Sequence, residues 1–90
     1  MKYRKTAVIE AVEYTGVLSS VWRFTGVENI RGPGPEAPEI ADGKPVTAEV
    51  YDKLHNVWVP VRDGDFIIQG SAGEYYPHDG DLFRQNYEAV

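Results

Sequence analysis

The stretch DGDFIIQGSAGEYYPHDGDL, residues 63–82, decides how this chain folds. It opens and closes on Asp-Gly-Asp. Between these lie an apolar run, a glycine-bounded turn and an aromatic segment. FIIQG, residues 66–70, has strand length and β-branched character and reads as a buried strand. SAG turns the chain, and EYYPH, residues 74–78, pairs back to close a hairpin. Alternation then puts Tyr75 and Tyr76 on opposite faces, so at most one of them joins the core. Asp63-Gly64 reads as a turn between strands. Asp81 is the expected N-cap of a short helix whose Leu82, Phe83 and Tyr87 face inward. EAV at the C-terminus can return as a short strand.

The four aspartates of this stretch invite a metal reading, because the hairpin brings its ends together. Calcium loops, however, need a denser oxygen array, commonly Asp-x-Asp-x-Asp-Gly with a later bidentate Glu. Neither tripeptide has it. Turn and cap roles account for the aspartates, and no metal or other cofactor is expected.

Outward from this stretch, residues 46–61 (VTAEVYDKLHNVWVPV) read as another hairpin. Val46, Ala48 and Val50 alternate with Thr47, Glu49 and Tyr51. After a turn over 52–56, Val57, Val59 and Val61 alternate with Trp58 and Pro60. Pro60 has no N–H to donate, so its strand lies at a sheet edge or a bulge. Residues 6–15 (TAVIEAVEYT) have apolar side chains on both faces: Val8, Val12 and Tyr14 share one with Glu10, while Ala7, Ile9 and Ala11 share the other. That pattern suggests a central strand. Residues 17–25 change to helical spacing, with Leu18, Val21 and Trp22 packing on the sheet and Gly26 at the C-cap. Residues 27–45 are rich in proline and glycine and form a long irregular loop, tacked down by Ile30 or Ile40. The fold class is α+β: one domain over 1–90, with a small curved, mainly antiparallel sheet or open barrel of about five or six strands, two short helices and the long loop.

Composition sets limits on function. Ninety residues make one domain with room for a single core. There is no cysteine, so disulfides and thiolate chemistry are excluded. The net charge of −5 opposes binding to nucleic acid phosphates. The apolar part of the N-terminus is broken by Glu10 and Glu13, unlike a signal peptide. No apolar run approaches the roughly 20 residues of a membrane span. Lys2, Arg4 and Lys5 form the concentrated positive patch, which serves to keep a strand edge solvated.

No catalytic constellation stands out. His55 sits in a turn. His78 neighbours Asp79, and with Glu74 the pair could serve a small hydrolase. Ser71 in GSAG lacks the strand-Gly-x-Ser-x-Gly-helix setting of a nucleophile. The aromatic residues say more. Trp58 and Tyr51 point away from the valine face of their hairpin, and outward aromatics mark partner or ligand surfaces.

The two ends of the chain resemble a family of small, uncharacterised phage and prophage proteins. KYRKTAVIEAVEYTG resembles a start of the form K-[YF]-R-K…V-x-I-E-A, with Ala7 where that form has Val. GDFIIQGSAGEYYPHDGDLFRQNYEAV matches an end of the form G-D-[WF]-I-I-x-G-x-x-G-E-x-Y-P…D-x-F…Y-E. At His78 and Gly80 the family usually has Cys and Pro. The resemblance implies a phage gene product in the bacterial cytoplasm and supplies no reaction. Arg4, Glu10 and Glu74 are matching charged residues that a fold does not obviously require.

The expected function is that of a non-enzymatic binding module for a host or phage protein. The candidate binding residues are Arg4, Glu10, Tyr51, Trp58, Glu74, Tyr76 and His78. Two alternatives stand beside it. One is a binder of a small anionic ligand such as a nucleotide, using Arg4, Lys5 and Tyr76. The other is a small hydrolase using His78, Asp79 and Glu74. The outward pair Tyr51 and Trp58 also suggests a homodimer about a two-fold axis. Neither a nucleic acid nor a membrane is expected as partner.

Overall fold

The computed structural model describes residues 1–4 and 8–89, without the side chains of Tyr3 and Arg4. The expected roles of Ala7, of Lys5 and of the Arg4 side chain thus lie outside the described residues.

The fold is α+β, built from short antiparallel strands. Strands β1 (Lys2–Arg4) and β2 (Val8–Glu13) pair near the N-terminus. A 3₁₀ turn over Leu18–Ser20 leads into α1 (Trp22–Thr25), and a second over Val27–Asn29 leads into β3 (Ile30–Arg31). Next come β4 (Ile40–Ala41), β5 (Lys44–Asp52) and β6 (Val57–Arg62). The chain closes with β7 (Phe66–Gln69), β8 (Tyr75–His78), α2 (Gly80–Asn86) and β9 (Glu88–Ala89).

One sheet has the order β8-β7-β2-β1-β9, so β2 is central, as its two apolar faces require. The second sheet is built on β5, which pairs with β3, β4 and β6. The sheets do not close into a barrel. The expected 66–78 hairpin forms, with Phe66 opposite His78 and Gln69 opposite Tyr75. So does the 46–61 hairpin, with Tyr51 opposite Trp58 and Pro60 on the edge strand. Within 27–45 the chain adds the short β3 and β4, and buried Ile30 anchors it while Ile40 stays exposed.

Strand alternation builds two cores, one on each face of the five-stranded sheet. Tyr14 and Ile67 point to the second sheet and pack with Val21, Ile30, Ala48, Val50 and Val61. Ala11, Phe66 and Ile68 point the other way and are covered by Phe83 of α2. Phe66 and Phe83 stack with their rings 4.1 Å apart, and Tyr87 stacks on Phe83 at 4.6 Å. Tyr75 joins the first core and donates its hydroxyl to the Phe24 carbonyl at 2.9 Å, whereas Tyr76 stays exposed.

Three expectations change. The N-cap of α2 is Asp79, not Asp81: its Oδ1 accepts the Leu82 N–H at 3.0 Å. The helix can start that early because residue 80 is glycine; a Cβ there would stand 2.1 Å from the Gly64 carbonyl oxygen. Leu82 and Trp22 are exposed rather than inward. Each adjoins a better-buried neighbour, Phe83 or Val21, and a narrow helical stripe takes only one of two successive residues.

Candidate binding surface

Trp58 and Tyr51 lie on the outer face of the second sheet, opposite the face that carries Val59 and Val61. Their rings are 5.3 Å apart and tilted. Both are half-buried, and residues 33–38 fold against the Trp58 end of this face. Glu49 holds that fold in place. Its Oε1 accepts the Gly34 N–H at 2.8 Å and Arg31 Nε at 3.1 Å, and the side chain is buried. The Arg31 guanidinium in turn lies 4.0 Å from the centre of the Trp58 ring, within cation–π range. Between loop and sheet remains a groove of about 470 Å³, lined by Arg31, Glu36, Ala37, Pro38, Glu49, Val57, Trp58 and Pro60.

A second cleft, of about 260 Å³, adjoins it at Pro60 and centres on Arg62. This guanidinium is gripped by buried Asp65 through Nε at 3.1 Å and Nη2 at 2.9 Å. It also reaches Asp42 at 3.3 Å and Asp79 at 3.4 Å. Hydrogen bonding to Asp65 holds the Arg62 pKa above its ordinary range. The Asp79 carboxyl is held below its usual range, chiefly by the Leu82 N–H, with help from Lys44 and Arg62. One aspartate of each Asp-Gly-Asp tripeptide, Asp65 and Asp79, thus meets Arg62, while Asp63 accepts from Thr47 and Asp81 meets Lys44. Among the described residues no acidic or histidine cluster is arranged to hold a metal ion.

The remaining sequence-derived candidates are scattered. Glu10 pairs in register with Gln69 on the face of Val12 and Tyr14, and meets the N-terminal ammonium at 3.7 Å. Tyr76 pairs with Ile68 and belongs to the opposite face. Burial, then Tyr87 and Glu74, push the Tyr76 hydroxyl pKa up. Glu74 is buried over Gly70, and its Oε2 has no hydrogen-bond partner among the described residues. His78 packs edge-on against Phe83 and Tyr87. Its Nδ1 meets the backbone carbonyl of Asp79 at 3.0 Å, while the Asp79 carboxylate turns to Leu82, Lys44 and Arg62. Glu74 precedes β8 and His78 ends it, about 13 Å apart along an extended chain. His55 is exposed in its turn and meets Asp52 at 2.7 Å.

Sequence reasoning passed over Arg31, Glu49 and Arg62. A signal was present for Arg62: it follows Trp58 and Pro60 in the outward alternation of β6 and stands three residues before Asp65 in a turn. Arg31 and Glu49 gave none, since their pairing depends on β3 joining β5. No protein-family model, curated protein or solved structure matches this chain.

Proposed function

We propose that this chain is a non-enzymatic accessory protein of phage origin, acting in the bacterial cytoplasm, that binds a host or phage protein through the groove beside Trp58. The observation that carries this reading is a half-buried tryptophan braced by Arg31 in an open groove on an edge strand. Tryptophan and arginine are the residue types that dominate binding energy at protein interfaces. The motifs at the two termini support the phage origin, and the absence of cysteine suits a reducing compartment.

The separation of Glu74 from His78, and the turn of the Asp79 carboxylate toward Leu82, Lys44 and Arg62, weigh against a hydrolase built on these three. An anionic ligand draws little support from Arg62 and Lys44, which carboxylates already answer. Affinity capture from host lysate, run in parallel with wild-type and Trp58→Ala baits, tests the proposal. A partner retained by wild type and by Leu82→Ser, but lost by Trp58→Ala, is the expected result. Capture indifferent to Trp58→Ala would sink the groove as the binding surface.

A further inference from the structure

Resting on that reading, the structure assigns the partner's chemistry: we infer that the groove takes an extended basic segment, with an apolar or proline side chain at the Trp58 end and a lysine or arginine at the Arg62 end. Both clefts are lined by Pro60, so they lie side by side along β6. Trp58, Pro60 and Arg62 share the outward face of that strand. From Trp58 to Arg62 is about 13 Å, which matches four residues of an extended peptide. Side chains four apart on such a peptide project to the same side, so one can reach each cleft.

The two ends differ in chemistry. At the first end Trp58, Pro38 and Val57 offer apolar surface, and Val57 is 48% exposed. At the second end the charges do not balance. Asp65 is consumed by Arg62, and Asp79 sits 3.7 Å from Lys44. This leaves the Asp42 and Asp81 carboxylates, whose side chains are 90% and 79% exposed, in excess of the cations around them among the described residues. At the first end Glu49 is matched by Arg31, and exposed Glu36 adds another negative charge. The net charge of the chain is −5, so the long-range field favours the same partner. An acidic segment would meet like charge at both ends.

Selection of a random octapeptide library on the immobilised full-length chain tests this. The expected peptides carry Lys or Arg four residues from Pro, Leu or an aromatic residue. They bind at least tenfold more weakly to Trp58→Ala, and also to Val57→Lys, which guards against a folding failure in the first variant. Asp42→Asn with Asp81→Asn should weaken them about fivefold, more at low salt than at high salt. Asparagine tolerates the positive φ at 42, and Asp81 is exposed in the first turn of α2 while Asp79 keeps the cap, so this double variant retains the fold. Peptides that need Trp58 but show no basic enrichment overturn the inference and leave the proposed function standing. A library yielding only peptides indifferent to Trp58→Ala and Val57→Lys overturns both. Light scattering that shows twice the 10.1 kDa chain mass, reduced to the single mass by Trp58→Ser, makes a second copy the occupant and also overturns the inference.

Discussion

Arg62 and Asp65 form a two-pronged ion pair inside the protein, with Nη2 to Oδ1 at 2.9 Å and Nε to Oδ2 at 3.1 Å. Asp65 Oδ2 also accepts the Arg62 backbone N–H at 2.9 Å, so the same carboxylate closes the turn and holds the guanidinium. Both side chains are buried. Such a pair is costly to break from one side, because the survivor is a buried charge without its counter-ion. Arg62→Met should destabilise the chain by about 3–5 kcal/mol in chemical denaturation. The double variant Arg62→Met with Asp65→Leu should recover part of that loss. A double variant less stable than the single one would show that Asp65 matters for the turn and not for the pair.

Gly80 is required by contact. Gly80→Ala places a methyl group 2.1 Å from the Gly64 carbonyl oxygen, a backbone atom that cannot swing aside. A loss of about 1–3 kcal/mol is expected, read as a lowered thermal midpoint. An alanine variant of unchanged midpoint would show that α2 approaches the 63–65 turn less closely.

Acid sensitivity follows from Asp79. Its folded pKa lies below the ordinary 3.8, mainly because it accepts the Leu82 N–H. Its contribution is therefore complete above pH 3.8 and is lost as pH falls through the depressed folded value. Asp79→Asn keeps a capping side chain but does not titrate. The stability gap between wild type and Asp79→Asn should be widest near neutral pH and close at low pH. Asp52, lowered chiefly by its hydrogen bond to His55, titrates in the same region in both proteins and cancels from the comparison. A gap that widens on acidification would contradict this assignment.

Glu49 ties the 33–38 segment to the sheet. Glu49→Ala removes the acceptor of the Gly34 N–H, and hydrogen exchange at Gly34 should speed about fivefold, in line with a net hydrogen bond of roughly 1 kcal/mol. Thermal stability should fall by a similar amount. Unchanged exchange at Gly34 would mean the loop is held by other contacts.

Local chemistry was legible in the sequence. The 66–78 hairpin, the Tyr51–Trp58 pairing, the central place of β2 and the edge position of Pro60 all follow from two-residue alternation, turn residues and the missing proline N–H. The opposite fates of Tyr75 and Tyr76 follow from the same alternation. What tertiary structure alone decided was which charged residues meet. Glu49 reaches Arg31 across 18 positions, and Arg62 reaches Asp42 across 20. The helix cap moved from Asp81 to Asp79 because α2 presses Gly80 against Gly64, a contact between segments with no local signature. Periodicity reports which side of a strand is apolar. It carries no information on which loop folds over the polar side, and here residues 33–38 do so, turning an outward tryptophan into the wall of a groove.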